Sequence, residues 1–374
     1  MKILHTENSL GWGGQEIRIL NEIEGMSGRG HDMHLVCPRE SRIFEEAARR
    51  GIAVSALPIG KKRWRGWRAL RAWIAAHPVD VINTHSSTDS WLTALACATL
   101  RTAPPMVRTR HISAAVPDNA ATRWLYTRAT RMIVTTGAAL KTQLVRDNHF
   151  PAAHIVSIPT GIDLRHFRPV ASPVETRAIR AALKLPLEAH IIGIVATLRS
   201  WKGHRFLIEA FARLSPGGAH LLIVGDGPQR QALCDLIRGL QLESRVTLAG
   251  NQQDVLPWLQ AIDVFALPSY ANEGVPQAIL QAFACALPVV TTDAGAIGEI
   301  ARDGATALVV KMQDAADLAR ALERMRADPE LGRRLGAGAL ALVHEKHGLD
   351  AMLDQMEAVF ASVQAGIVRP ASAP

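Results

Sequence analysis

Short apolar runs rich in Val, Ile and Leu alternate with stretches of helical periodicity along most of this 374-residue chain. Strand-like runs fall at 2–5, 33–37, 54–57, 79–84, 106–109, 132–135 and 154–158, with helical patterns at 14–29, 45–50, 67–77 and 88–99. A second series places strands at 191–197, 220–224, 246–249, 264–267, 289–292 and 307–310. Its helices are expected at 204–214, 228–240 and 254–261, and the chain reads as helical from 314 to 357. Consecutive parallel strands need a crossover long enough to hold a helix, so this alternation predicts parallel sheets wrapped by helices. The expected class is α/β: two doubly wound domains facing one another, with ligand in the cleft at the strand carboxyl ends. The domains are expected at 1–165 and 166–345, followed by a helix at 346–364 and a disordered Pro/Ala/Ser tail at 365–374. Residues 160–168 and the proline-bearing stretch after them read as a connector.

Composition narrows the class further. With 48% apolar and 20% charged residues, the chain resembles an ordinary globular protein. No signal peptide is visible, and no run approaches the roughly 18 uninterrupted apolar residues of a membrane span. Cys37, Cys97, Cys234 and Cys285 are scattered, each in an apolar segment and without zinc-type spacing, so neither metal nor disulfide is expected. The charge is uneven. Residues 1–168 hold 23 Lys and Arg against 13 Asp and Glu, a net of +10; the remainder holds 19 against 21, or −2. A basic first half points to an anionic partner.

Residues 269–288, SYANEGVPQAILQAFACALP, are the most informative stretch. A buried-strand pattern leads into a loop carrying Glu273, then through Gly274 and Val275 into a helix expected to open at Pro276. Free N–H groups and the positive end of the helix dipole would seat an anion such as a diphosphate there. The bland alternative is a plain strand–loop–helix with a solvated glutamate. Arg199 and Lys202 follow the first strand of the second series, where two cations could neutralise a diphosphate or simply be solvated. Gly227, in the GDGP turn at 225–228, either shapes that turn or touches ligand. Near the start, the GWGG segment containing Gly13 and Gly14 follows a strand and precedes a helix. It permits close backbone approach to a ligand, but lacks the GxGxxG spacing of nicotinamide dehydrogenases. His85 and His111 lie just past first-domain strands; His111, flanked by Arg108 and Arg110, is the better catalytic candidate.

The segment at 61–73 carries Lys61, Lys62, Arg63, Arg65, Arg68 and Arg71 with Trp64, Trp67 and Trp73, and no acid. Cations and tryptophans together suit the headgroups of an anionic membrane. Nucleic acid could use the same side chains, and so could a helix burying Trp67, Leu70 and Trp73 with its basic face in water.

Taken together, EGVPQAILQA with DVFALPSY before it and LPVVTTDAGAIGEI after it resembles the retaining family-4 glycosyltransferases of GT-B fold. GWGGQE, DVINTH, TGID, the Arg199/Lys202 pair and VGDGP occur in that family's order as well. The resemblance implies two Rossmann-like domains, the first for acceptor and the second for a nucleotide-sugar donor, with the last helix returning to the first domain. By the same resemblance Glu273 holds donor-sugar hydroxyls and the N–H groups after it hold phosphate. Arg199 and Lys202 then neutralise the leaving diphosphate, Gly13 and Gly14 close over the phosphates, and His111 lies near the transferred sugar. Transfer retains configuration, with the nucleotide sugar as co-substrate and no metal or other cofactor. One position departs from the family pattern. A second carboxylate is usual eight residues after the first, assigned to ribose hydroxyls, and Gln281 stands there instead. An amide still accepts from a hydroxyl but carries no charge. Gln277, one helical turn earlier on the same face, is expected to line the site as well.

The expected function is thus sugar transfer from a nucleotide diphosphate to a lipid-linked or surface polysaccharide acceptor. It would take place in the cytoplasm, at an anionic membrane face rather than on nucleic acid. The rivals are a non-catalytic glycan- or lipid-binding partner on the same fold, and a nucleotide-sugar epimerase.

Overall fold

The computed structural model describes residues 1–215, 217–271 and 273–366. The chain divides into two units, the first comprising Met1–Gly161 with the segment from Asp350 onward, the second Ile162–Leu349. These divisions lie about four residues from the boundaries expected at 165 and 345. Of the tail expected at 365–374, Ala365 and Gly366 still bond to the last turn of the preceding helix, and residues 367–374 lie outside the described residues.

The first unit is built on β1 (Lys2–Thr6), β2 (Asp32–Cys37), β3 (Val54–Ala56), β4 (Val81–Thr84), β5 (Met106–Arg110), β6 (Thr130–Thr135) and β7 (Ile155–Ser157). All pair in parallel, in the order β3-β2-β1-β4-β5-β6-β7. The period of two puts Leu4, Val36 and Ile82 on one face, where helices Trp64–Ala76 and Ser87–Cys97 cover them with Leu70, Ile74, Leu92 and Ala96. In register on the neighbouring strands, His5 and Asn83 stand side by side. The helix Gly14–Gly28 brings Glu22 onto that pair, with Glu22 within reach of both.

The C-terminal helix Leu349–Gln364 packs on Gly14–Gly28. A β-carbon at Gly25 would lie 2.3 Å from Leu353 Cδ1, so glycine is what lets the two axes approach. Arg29 ties the pair at its rim, 2.7 Å from Asp354 and 3.1 Å from Glu357.

The second unit is built on β8 (His190–Val195), β9 (Ala219–Val224), β10 (Val246–Gly250), β11 (Val264–Leu267), β12 (Val289–Thr291) and β13 (Leu308–Val309), also parallel, ordered β10-β9-β8-β11-β12-β13. Strand β8 therefore has β9 on one side and β11 on the other. The winding reverses between β8 and β11, and at that reversal the following loops part to leave a crevice. Its core runs from Ile191, Ile192 and Ile194 through Leu221, Leu222 and Ile223 to Phe265, Phe283 and Val290, all essentially without exposure.

Two stretches depart from what the sequence suggests. The proline-bearing connector contains the helix Pro173–Ala182, started by Ser172, whose hydroxyl accepts from the Glu175 amide. A further helix, Ala138–Asn148, fills the gap left between the strands at 132–135 and 154–158. The four cysteines are unpaired; Cys37 and Cys285 are buried, whereas Cys97 and Cys234 are half-buried. Among the described residues no helix is long and apolar enough to cross a membrane.

Candidate functional site

In the second unit, the loops leaving β8, β11 and β12 converge on Glu273. Close backbone contacts, which only glycine permits, bring them together. Gly203, at φ +77°, lies against Pro268, and a β-carbon there would sit 2.0 Å from the Pro268 carbonyl oxygen. Gly295, at φ +61°, lies equally tight on the Glu273 carbonyl, which also accepts from the Ala296 amide at 3.2 Å. The Tyr270 amide donates to the Trp201 carbonyl at 2.9 Å, and the Thr292 hydroxyl donates to the Ser269 carbonyl.

Held this way, Glu273 is only 4% exposed and its carboxylate is met by two donors. Lys202 Nζ lies 2.7 Å from Oε1 and 2.9 Å from Oε2, and Ser269 Oγ donates to Oε1 at 2.7 Å. Oε2 keeps acceptor capacity, and the ammonium keeps an N–H. Arg199 sits apart from this pair, exposed, with its guanidinium 5.6 Å from the centre of the Trp201 ring.

Gly274, Val275 and Pro276 are buried as they lead into the helix Gln277–Ala284. Here the structure corrects the expectation from sequence: Pro276, at ψ 123°, is the cap preceding the helix rather than its first residue. Among the described residues no side chain caps this end, so the first amides carry the unpaired donors that helix geometry leaves at an N-terminus. Gln277 and Gln281, 8% and 7% exposed, share one face, and Gln277 Oε1 is buried without a partner among the described residues. A buried orphan acceptor of this kind costs on the order of 1–3 kcal/mol unless something donates to it.

Gly227 lies so close to the loop after β8 that a β-carbon there would be 2.8 Å from the Leu198 carbonyl oxygen. Two residues earlier Gly225, at φ +139°, is pressed harder still, a β-carbon there lying 2.0 Å from the Ala196 carbonyl oxygen, so the GDGP turn is shaped by backbone contact with that loop.

In the first unit, Gly13 is the extended residue before the helix and Gly14 its first residue, exposed. His111 follows β5 and proves to be one end of a row of three rings. His85 Nδ1 lies 3.0 Å from His111 Nε2, and His5 Nδ1 lies 2.9 Å from His85 Nε2. Burial holds His85 and His111 well below the ordinary histidine range, assisted by neighbouring imidazoles and by Arg18; His5 is depressed to about 3 by burial alone.

Sequence reasoning did not single out the carboxylates around this row. Glu7, wholly buried just after β1, accepts from the Ser9 amide at 2.6 Å, the Ser86 hydroxyl at 2.8 Å, and Gln15. Burial, with Asp89 and Glu16 nearby, pushes it up to about 8. Asp89 closes a capping box with Ser86, and burial raises it to about 6. Glu22, buried behind His5, is raised to about 7 by burial, against the pull of Arg18 and Asn83. Glu7 and Asp89 come together because β1 and β4 are neighbours in the sheet, a pairing that no local stretch announces.

The basic segment splits in two. Lys61, Lys62, Arg63, Arg65 and Arg68 are exposed, as is Trp64 at 65%. Trp67 and Trp73 instead pack against the core beneath the helix, and Trp73 Nε1 donates to Ser55 Oγ at 3.2 Å. The expected pairing of cations with several tryptophans on one surface therefore reduces to cations with Trp64. Among the described residues no group of three His, Cys, Asp or Glu side chains is arranged to hold a metal ion.

Two family models match this chain, "Glycosyltransferase Family 4" over residues 12–166 and "Glycosyl transferases group 1" over residues 189–328. The chain is 38% identical over 156 residues to a lipopolysaccharide core biosynthesis glycosyltransferase, LpsE, of Rhizobium meliloti, covering 42% of this chain and 45% of that one. It is 30% identical over 315 residues to a D-inositol 3-phosphate glycosyltransferase of Mycobacterium avium, covering 76% and 71%. The aligned region spans between 44% and 62% of the four curated relatives matched first. Among solved structures, Anabaena Alr3699/HepE in complex with UDP and glucose superposes with a TM-score of 0.86 at 22% identity, over 97% of this chain and 100% of that one. The two Rossmann-like units are those of the GT-B fold.

Proposed function

The chain belongs to the family-4 glycosyltransferases, and from that premise we propose that it transfers a sugar from a nucleotide-diphosphate donor to a glycan or lipid-linked acceptor. The observation that carries this reading is the Lys202–Glu273–Ser269 cluster beside an uncapped helix start, at the reversal between β8 and β11. An anionic acceptor of hydroxyl protons and a donor-rich helix end suit the two halves of a nucleotide sugar.

Glu273 accepts from hydroxyls of the donor sugar through its remaining lone pairs. The amides of Gln277 and Ala278 receive the diphosphate, and Lys202 turns its free N–H toward it. Arg199, on the same loop, adds a second cation as negative charge builds on the leaving group. Stabilisation of that charge by groups already in place lowers the barrier without a metal. Departure and attack on one face of the sugar retain configuration. Gln281 meets the ribose as a neutral amide.

The UDP held by HepE supports a uridine donor, and LpsE supports a lipopolysaccharide-type acceptor. The basic excess of the first half, with Trp64 and its neighbouring cations, supports work at an anionic membrane face in the cytoplasm. Acceptor-dependent release of nucleoside diphosphate tests the reading. Wild-type protein releases it only when acceptor is present, and Glu273→Ala, folded normally, does not. Turnover by Glu273→Ala at the wild-type rate rejects the assignment. The uncharged Gln281 motivates one rival, a non-catalytic binding partner, which predicts donor binding without release for every acceptor tried.

A further inference from the structure

The row His5–His85–His111 ends on Glu22, whose Oε1 lies 3.8 Å from His5 Nε2 and accepts from Asn83 Nδ2 at 3.2 Å. The ring centroids lie 5.1 Å and 5.2 Å apart, with 16° between the planes of His5 and His85 and 37° between those of His85 and His111. His5 and Glu22 are fully buried and His85 is 4% exposed, while His111 is half-buried. His5 Nε2, Glu22 Oε2 and Arg18 Nε are all buried without a hydrogen bond among the described residues. Closing the His5–Glu22 gap to hydrogen-bond range needs a shift of about 1 Å.

We propose that Glu22, His5 and His85 act as a proton relay that decides whether His111 Nδ1 donates or accepts a hydrogen bond. Neutral imidazole carries one N–H, so each ring in such a row can donate in one direction only. With Glu22 ionised, His5 donates from Nε2 to the carboxylate, His85 from Nε2 to His5, and His111 from Nε2 to His85. His111 Nδ1 is then a bare acceptor. A proton arriving at His111 Nδ1 releases the one on Nε2 to His85, which releases one to His5, which protonates Glu22. Each ring gains one proton and loses one, and only the carboxylate changes charge. The burial that disfavours imidazolium throughout the row leaves this concerted route open.

The other groups facing the row bias it in known directions. Arg18, on the helix that carries Glu22, and Asn83, on β4, favour the ionised carboxylate. Arg110, beside His111, and Arg18 oppose a charged ring. Asp89 accepts from the His85 amide rather than its ring. From the C-terminal helix, Phe360 lies edge-on to His5, and the Met356 sulfur lies 3.9 Å from Arg18. Glu22, His5 and His85 are thus positioning residues that act through His111. The proposal rests on the function above only in giving His111 a carbohydrate hydroxyl to meet.

Histidine-selective ¹⁵N spectra of the full chain without substrate, taken from about pH 5 to pH 9 so as to bracket the ordinary histidine range, test the relay apart from any transfer assay. The expected result is that His111 Nδ1 passes from protonated at low pH to unprotonated at high pH while His111 stays neutral. In Glu22→Gln, His111 is expected to keep one tautomer throughout. In His85→Phe, His111 is expected to lose its response while His5 keeps its own. A single His111 tautomer across the range in wild type, or a switch that survives either substitution, overturns the proposal. Should Glu22→Gln fail to fold, the wild-type titration and His85→Phe decide it. Loss of transfer with the tautomer switch intact would count against the catalytic reading and leave the relay standing.

Discussion

Gly295 stands against the carbonyl of Glu273 with no room for a side chain: a β-carbon there would lie 2.2 Å from that oxygen, at a backbone φ of +61°. The loop after β12 thereby clamps the loop after β11, and the carboxylate is aimed by backbone packing as much as by its own hydrogen bonds. Gly295→Ala is expected to lower the melting temperature, since the left-handed backbone alone costs on the order of 1–3 kcal/mol, and to abolish transfer. Gly298→Ala, where nothing among the described residues lies within 4 Å, is the control and should melt as wild type.

Lys202 and Glu273 are 19% and 6% exposed at the side chain, so each neutralises a largely buried partner. Removing one alone, as in Lys202→Met, is expected to destabilise by roughly 3 kcal/mol because it strands the other charge. The double variant Lys202→Met/Glu273→Gln should recover a large part of that loss. Urea unfolding of the four proteins gives the coupling directly. Additive effects would mean the pair is an incidental contact.

Gln281→Glu adds a carboxylate at a position only 7% exposed, one turn from Gln277. If the amide meets ribose hydroxyls, the affinity for UDP measured by calorimetry should change by on the order of tenfold, or about 1.4 kcal/mol. An unchanged dissociation constant would place the side chain out of reach of the nucleotide.

Glu7 has its pKa raised from 4.5 to about 8 by burial and by Asp89 and Glu16. A carboxyl raised in the folded state keeps its proton longer there than in the unfolded chain. Its contribution is therefore full below about 4.5 and is lost as pH rises through 8. Glu7→Gln should be less sensitive than wild type over that window when both are unfolded by urea at successive pH values. The buried rings have the opposite sign: His5, depressed from 6.5 to about 3, removes stability as pH falls below 6.5. Identical profiles for Glu7→Gln and wild type would mean that Glu7 ionises freely in the folded chain.

Charge reversal at Arg63, Arg65 and Arg68, all exposed on or beside the helix Trp64–Ala76, should weaken binding to phosphatidylserine vesicles while leaving the fold intact. Trp64→Ala should weaken it further, whereas Trp67→Ala should act on stability, because Trp67 packs inward. Co-sedimentation and thermal melts separate the two effects. Binding untouched by charge reversal would leave the basic face a solvated surface.

What can be read along the chain is whatever local chemistry decides. Branched apolar runs of the right length become β1, β4, β8 and β11, and Gly274 and Pro276 mark the loop ahead of Gln277 in the sequence itself. The helix Pro173–Ala182 is equally legible, with Ser172 and Glu175 in capping-box spacing, although Pro169 and Pro173 give the same stretch the look of a linker. Spacing alone pairs Arg199 with Lys202, yet Lys202 turns to Glu273 while Arg199 stacks on Trp201, a choice that side-chain geometry makes.

Local patterning along the chain suffices for the parallel α/β class, the glycine-bearing turns and the identity of the acid and cation near one helix start. That His5, His85 and His111 form one row, that Glu22 stands behind it, and that Trp67 faces inward follow from the folded arrangement alone. The contacts along that row join residues 80, 26 and 17 positions apart. They exist because strand order sets which residues become neighbours, and strand order is a property of the assembled sheet that no local stretch encodes.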